Sequence, residues 1–177
     1  MSTLPFLARR VLACSVFTVS VVHAAPAPSA PKLVLVLAVD GLPAEQLQRY
    51  RGQFGEKGLR RLMEQGASFT NAHQAHGITV TAIGHTAVLT GAYPYRHGII
   101  GNNWIDSNGK LVYCTEDTRY RYIDEETDEH DGTSPANLRV DTLGDQLRYA
   151  TGNRSKVVTV SGKDRGAILL AGKTGTA

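Results

Sequence analysis

The sequence is poor in cysteine, in tryptophan and in long apolar runs. Its 177 residues include two cysteines, one tryptophan and 7% aromatic residues. Two cysteines are too few for a disulfide framework. A membrane-spanning helix needs about 18 apolar residues in a row, and no run beyond the N-terminus is that long. The 18 glycines and seven prolines show no repeat, which excludes a collagen. With 42% hydrophobic residues, the chain has the composition and length of about one globular domain.

Basic clusters are also missing. The formal net charge is +3, from 19 lysines and arginines against 16 acidic residues. Two of the basic residues, Arg9 and Arg10, lie in a segment that we expect to be cleaved, so the mature balance is near neutral. Without a basic patch there is no electrostatic reason to expect a nucleic acid or an anionic membrane as partner.

The N-terminus has the pattern of a secretory signal peptide over residues 1–24. A short segment that ends in Arg9-Arg10 precedes the apolar stretch Val11 to Val22, and Ala24 offers the small residue at the cleavage site. A membrane anchor is the alternative, but the stretch is short for a bilayer. Residues 25–32 then read as a Pro/Ala-rich tether. The pattern predicts export, with the periplasm as the favoured location and no membrane association after cleavage.

Cleavage would remove Cys14 and leave Cys114 without an internal partner. Two alternatives remain open. Cys114 is buried as a small apolar residue, or its partner lies outside this sequence.

The pattern of apolar residues predicts an α/β architecture. Lys32 to Val39 is continuously apolar after its first residue, as in a strand buried on both faces of a parallel sheet that helices cover on both sides. A second strand is predicted over Lys156 to Val160. Helices are predicted over residues 43–48, 58–65, 81–89 and 142–150, and residues 113–137 are expected to form a surface excursion.

Several residues that can bind an anion follow these elements. Asp40 ends the first strand, where open α/β sheets gather their chemistry. Thr81 is predicted at a helix N-cap, where unpaired N–H groups favour a bound phosphate. The loop Gly101-Asn102-Asn103-Trp104 and the pair Lys163 and Arg165 add polar donors. Taken singly, each has a structural alternative, such as a turn for Asp40 or an ordinary cap for Thr81. No Gly-x-Ser-x-Gly elbow supports a serine hydrolase.

The motifs together resemble the alkaline phosphatase superfamily. The segments that carry the likeness lie within about residues 33–171: Val39-Asp40-Gly41, Thr79-Val80-Thr81-Ala82-Ile83-Gly84-His85-Thr86, Thr90-Gly91-Ala92-Tyr93-Pro94, His97-Gly98-Ile99 and Gly101-Asn102-Asn103-Trp104. They are similar to the threonine-nucleophile phosphate-monoesterase branch, close to the type I phosphodiesterase/nucleotide pyrophosphatases. Ser161 to Ile168 resembles the monoesterase branch in particular. The resemblance implies a mostly parallel sheet with helices on both faces.

The resemblance also implies roles for five residues. Asp40 would be a ligand of one of two zinc ions, and Thr81 would be both a zinc ligand and the nucleophile that forms a phosphothreonine. Asn102, Lys163 and Arg165 would bind the oxygens of a small-molecule phosphate ester. Asp164 is interpreted as their internal charge partner.

The histidines are weaker candidates. His85 and His97 resemble structural positions of the family. His73 and His76 have the spacing of a helical metal pair, which is a minor alternative.

The resemblance covers only part of such an enzyme. It implies a domain of several hundred residues with further Asp and His ligands, so residues 33–177 are expected to be its N-terminal portion and to be inactive alone. Two other hypotheses stay open, a phosphodiesterase or nucleotide pyrophosphatase, and a non-catalytic phosphate-binding module. The sequence does not indicate an oligomeric state.

Overall fold

A computed structural model describes residues 31–124, 126 and 132–177. The chain divides into two units, Met1–Val36 and Leu37–Ala177. The expected signal peptide, most of the tether and His130 lie outside the described residues. Within the described ranges, every helix is too short or too polar to cross a bilayer.

The second unit is built mainly from short helices. The helices are α1 (Ala44–Arg49), α2 (Leu59–Gln65), α3 (Thr81–Thr90), α4 (Pro94–His97), α5 (Leu143–Ala150) and α6 (Asp164–Ala171), with a 3₁₀ turn at Arg51–Gln53. Strands β1 (Asn103–Ile105) and β2 (Leu111–Tyr113) form an antiparallel hairpin, in which Asn103 pairs with Tyr113. The four predicted helices are confirmed to within two residues. Helices α4 and α6 and the hairpin were not predicted.

The two predicted strands are not formed as expected. Residues 32–39 adopt neither strand nor helix, and their leucines and valines are 47–80% exposed. A strand needs a neighbour for its backbone N–H and C=O groups, and no described residue pairs with this segment. Residues 156–160 form only a single parallel bridge, in which Val158 faces Thr176. The prediction of a strand over these residues was therefore wrong, apart from this one bridge.

Helix α3 lies against the other elements that matter for the site. It packs on α4, α5 and α6. Gly91 ends it with φ +62°, the left-handed conformation that glycine adopts without strain. Two of its apolar residues, Ala82 and Ile83, are fully or almost fully buried. These contacts fix the position of its first turn.

The core lies between α3, α6 and the hairpin. Its buried members are Ala82, Ile99, Cys114, Leu138 and Leu169, with Trp104, Tyr113 and Val140 packed against them. Cys114 is thus a buried free thiol, and burial raises its pKa to about 11.

The prediction of a surface excursion over residues 113–137 was wrong at its ends, because Cys114 and Thr115 are fully buried and Asp117 and Ser134 are buried too. Hydrogen bonds compensate for burying these polar side chains, because the Thr115 hydroxyl donates to Asp164 and the Ser134 hydroxyl donates to Asp117.

Asp145 joins the start of α5 to the segment after α6. Thr142 and Asp145 form a capping box, and the Asp145 carboxylate also accepts hydrogen bonds from the N–H groups of Lys173 and Thr174 and from the Thr174 hydroxyl. Burial alone would raise the pKa of Asp145, but these bonds outweigh it and hold the pKa below 3.8. The carboxylate therefore stabilises the fold in its ionised form.

Replacing Asp145 with alanine is expected to destabilise the fold by about 3 kcal/mol, because several buried donors lose their acceptor. Since the folded-state pKa is lowered, the contribution of Asp145 is complete above its ordinary pKa of 3.8 and is lost as the pH falls through the lower folded value. Chemical denaturation of the full-length gene product at neutral and acidic pH measures both effects. Asp141→Ala is the matched control, since Asp141 pairs with half-exposed Lys173. Equal losses for the two variants would contradict this role.

Candidate active site

Asp40 and Thr81 meet at the N-terminus of α3. Asp40 lies in a turn with Gly41, whose φ is +72°. The Thr81 hydroxyl donates a hydrogen bond to Oδ2 of Asp40 at 2.7 Å, across 41 positions of sequence. Thr81 is buried, whereas the Asp40 side chain is 40% exposed. A hydroxyl is therefore fixed against a carboxylate that solvent and ligands can reach.

Lys163 reaches the same carboxylate from the start of α6. Its Nζ lies 3.1 Å from Oδ2 of Asp40, although the two residues are 123 positions apart. Two hydrogen bonds, of which that from Thr81 has the larger effect and that from Lys163 the smaller, hold the pKa of Asp40 below its usual value of 3.8. Asp40 is thus a carboxylate at neutral pH. A cation bound there would compete with Lys163 for Oδ2.

Asn102 caps α3 in place of Thr81. Its side-chain Oδ1 accepts a hydrogen bond from the Ala82 N–H at 3.0 Å. The prediction that Thr81 is the N-cap was wrong by one residue, because Val80 is the N-cap and Thr81 is the first residue of the helix. Since Asn102 satisfies the helix N–H, the Thr81 hydroxyl is available to Asp40.

Arg165 is held from the side by a phenol. Its Nη1 donates to the Tyr113 hydroxyl oxygen at 2.9 Å, and the Tyr113 hydroxyl donates to Oδ1 of Asp164 at 2.7 Å. The other Asp164 oxygen accepts the Thr115 hydroxyl at 2.6 Å. The interpretation of Asp164 as a charge partner therefore holds for Arg165, though only as a loose ion pair, whereas Lys163 pairs with Asp40 instead. The nearest Arg165 nitrogen is 3.9 Å away, and both carboxylate oxygens accept hydroxyl groups.

The structure thus brings four predicted residues together, three of them in direct contact. Asp40, Thr81 and Lys163 share hydrogen bonds, and Asn102 joins them through the Ala82 N–H. Arg165 follows Lys163 by two positions at the start of α6, which packs on α3, but it bonds to Tyr113 instead of the other four.

Tyr113 and Thr115 are site residues that the sequence did not single out. The only signal was their place in a tyrosine-rich stretch, and hydrogen bonds across 51 and 49 positions leave no local pattern.

The donors of a metal site are present in part. Asp40 and Thr81 supply two oxygen atoms of the kind that bind a hard or borderline cation. Among the described residues, however, no three His, Cys, Asp or Glu side chains gather into a possible metal site. Catalytic zinc ordinarily has about three protein ligands. Asp40 and Thr81 therefore fit one side of a metal centre and do not complete it.

Each histidine that the structure describes bonds to a residue within four positions of itself. Nδ1 of His85 lies 2.9 Å from the Thr81 carbonyl oxygen, within the same helix. His97 is fully buried, its Nδ1 accepts the Ile99 N–H, and burial lowers its pKa to about 4. The alternative of a helical metal pair was wrong, because His73 and His76 do not lie in a helix and bond to Asn71 and the Ile78 carbonyl.

Known proteins are similar to this chain in sequence and in fold. Residues 34–164 match the family model of type I phosphodiesterase/nucleotide pyrophosphatase. Alkaline phosphatase PafA of Elizabethkingia meningoseptica is 46% identical over 147 residues, which cover 82% of this chain and 27% of that protein. Alkaline phosphatase PhoV of Synechococcus elongatus is 43% identical over 145 residues, covering 81% and 26%.

A comparison with solved structures also finds PafA. The crystal structure of a PafA variant, substituted at one Thr, one Asn, one Lys and one Arg, superposes with a TM-score of 0.73. It is 42% identical and covers 77% of this chain and 27% of the PafA chain. The chain thus spans about a quarter of the length of these relatives.

The structural match confirms the expected alkaline-phosphatase-like α/β fold, even though its sheet is only partly formed by the described residues. The family model covers most of the chain and includes Asp40, Thr81, Asn102 and Lys163. This chain belongs to the type I phosphodiesterase/nucleotide pyrophosphatase family.

Proposed function

We propose that the full-length gene product hydrolyses phosphate monoesters of small molecules with Thr81 as the nucleophile. One observation carries the proposal. The Thr81 hydroxyl lies at a helix N-terminus, hydrogen-bonded to Asp40 at 2.7 Å, and the Lys163 ammonium reaches the same carboxylate oxygen. The Thr81 nucleophile and the Lys163 cation, which can bind a phosphoryl group, thus both lie within hydrogen-bond distance of the Asp40 acceptor.

The reaction proceeds in two displacements. In the first, Thr81 Oγ1 attacks phosphorus and loses its proton, the bond to the leaving oxygen breaks, and the alcohol departs after it gains a proton. A phosphothreonine remains. In the second, water attacks the same phosphorus, the bond to Thr81 breaks, and inorganic phosphate is released as the hydroxyl is restored. Asn102 is placed to donate its amide N–H groups to a phosphoryl oxygen, because its Oδ1 is already taken by Ala82.

The proposal includes two zinc ions as cofactors. Asp40 and Thr81 would hold one of them, as the oxygen donors that face each other in the site. When bound, such a metal supplies positive charge that lowers the pKa of the threonine hydroxyl and stabilises the leaving oxygen. The remaining ligands are not among the described residues.

The spacing of four residues in this chain agrees with that of the residues substituted in the PafA variant. Its substituted threonine and asparagine are 21 positions apart, as are Thr81 and Asn102, and its substituted lysine and arginine are two apart, as are Lys163 and Arg165. This agreement supports the same four residues as the working set of this chain.

Lys163 and Arg165 favour a monoester over a diester. A phosphate monoester carries a dianionic phosphoryl group, and two cations offset its charge better than that of a diester monoanion. Both lie at the start of α6, where the helix dipole adds to their effect. Phosphodiesterase activity remains the second candidate, because the matching family model carries that description.

Localisation and assembly extend the proposal. The N-terminal pattern of residues 1–24 supports export to the periplasm. Since the chain spans about a quarter of its relatives, we also propose that it acts as the N-terminal portion of a longer catalytic domain.

Kinetics of the full-length gene product before and after chelation test the proposal. We expect 4-nitrophenyl phosphate to be hydrolysed faster than bis(4-nitrophenyl) phosphate. Chelation should abolish turnover and zinc should restore it, because Asp40 alone cannot activate the Thr81 hydroxyl. Faster diester hydrolysis would favour the phosphodiesterase. A folded product that binds phosphate without turnover, and does so regardless of chelator, would be a binding module instead.

A further inference from the structure

Asp164 stands next to Arg165 in sequence but forms only a loose ion pair with it, without a direct hydrogen bond. The closest approach of the guanidinium to the carboxylate is 3.9 Å, between Nη1 and Oδ1. Arginine ordinarily forms short, bidentate bonds with a carboxylate that is within reach. In this fold the two groups stay at the distance of a loose ion pair instead of forming such bonds.

Both oxygens of Asp164 are occupied by neutral hydroxyl groups. Tyr113 donates to Oδ1 at 2.7 Å, and fully buried Thr115 donates to Oδ2 at 2.6 Å. The Tyr113 oxygen also accepts from Nη1 of Arg165 at 2.9 Å, so the phenol lies between the two charges. Burial and the bond to Asp164 raise the pKa of Tyr113 to about 12, so its hydroxyl remains a donor under alkaline conditions.

The hairpin fixes the phenol in this place. Tyr113 ends β2 opposite Asn103, and the Cys114 N–H bonds to the Asn102 carbonyl at 2.9 Å. The same backbone thus carries Asn102, which caps α3, and Tyr113, which holds Arg165 at the start of α6. In addition, Nε of Arg165 is buried without a hydrogen-bond partner among the described residues.

We propose that Tyr113 is a positioning residue, which keeps Arg165 from forming a short, hydrogen-bonded pair with Asp164 and so keeps its guanidinium N–H groups available to the phosphoryl group. Thr115 assists by occupying the second oxygen of Asp164. The inference rests on the proposed function, because the oxygens that Arg165 binds are those of the phosphate ester or of inorganic phosphate.

Removing the phenol hydroxyl should let Arg165 collapse onto Asp164. In the full-length gene product, Tyr113→Phe is expected to raise the inhibition constant for inorganic phosphate about 10- to 100-fold, the size of a lost hydrogen bond to a charged group. The KM for 4-nitrophenyl phosphate should rise with it. Adding Asp164→Asn to Tyr113→Phe removes the competing charge, so the double variant should recover most of the lost phosphate affinity. A merely structural role for Tyr113 predicts no such rescue.

Two further variants serve as controls for Tyr113→Phe. Tyr149→Phe removes the hydroxyl of a half-exposed tyrosine and should leave the constants unchanged. Thr115→Val preserves side-chain shape and frees one Asp164 oxygen, so it should weaken phosphate binding by a smaller factor, again reversed by Asp164→Asn. It serves in place of Tyr113→Phe if that variant does not fold.

The outcomes separate this inference from the proposed function. The positioning role alone would be overturned if the folded Tyr113→Phe variant had the wild-type inhibition constant for inorganic phosphate. It would also be overturned if the double variant bound phosphate no more tightly than Tyr113→Phe. A wild-type product that neither hydrolyses the monoester nor binds phosphate would overturn both.

Discussion

Replacing Thr81 with alanine is expected to reduce the kcat for phosphate monoester hydrolysis at least about 1,000-fold, because the reaction loses its nucleophile. The Thr81 hydroxyl is the group held 2.7 Å from Asp40, and no other described hydroxyl bonds to that carboxylate. Thr81→Ser keeps an attacking oxygen and should retain most of the turnover. Steady-state kinetics of the full-length gene product measure both variants.

Thr90→Ala is the control for Thr81. It removes a hydroxyl from the other end of α3, where Thr90 donates to the Thr86 carbonyl, and should leave kcat unchanged. Melting temperatures of all three variants show whether each is folded. A Thr81→Ala variant that is folded and as active as the wild type would exclude Thr81 as the nucleophile.

Replacing Lys163 and Arg165 is expected to change the choice of substrate. Each alanine variant should lower kcat/KM for the monoester about 100-fold or more, and for the diester about tenfold or less, since charge-assisted bonds to a dianion are the stronger. The same preparations assayed with 4-nitrophenyl phosphate and bis(4-nitrophenyl) phosphate give this ratio directly.

Lys173→Ala is the matched control for this pair. Lys173 is exposed and bonds to Asp141, away from Asp40. It should leave both activities unchanged. If Lys163→Ala and Arg165→Ala lowered monoester and diester turnover by the same factor, their proposed role in selecting the monoester would be wrong.

Local patterns predicted the helices well and the sheet poorly. Helix α5 begins with a capping box and α3 ends at Gly91, and both signals can be read within a few residues. The apolar segment over residues 32–39 is different. Its pattern indicates a buried strand, but burial depends on neighbours that no local signal supplies, and its leucines and valines are exposed here.

The candidate site divides in the same way. Asp40, Thr81, Asn102, Lys163 and Arg165 were predicted from motifs and from a family resemblance, and the structure brings the first four together. The sequence predicts Thr81 as the N-cap because threonine favours that position, whereas Val80 occupies it and Asn102, from another loop, accepts the Ala82 N–H. Tyr113 was missed for the same reason, since its contact with Asp164 spans 51 positions.

The most direct test of the central claim is to look for phosphate on Thr81 during turnover. The full-length gene product is mixed with a phosphate monoester, quenched rapidly in acid, digested and analysed by mass spectrometry. We predict a phosphorylated peptide with the modification on Thr81, absent without substrate and absent from Thr81→Ala. Phosphate on another residue, or turnover that the Thr81→Ala variant sustains at the wild-type rate with no phosphopeptide in either protein, would contradict the account.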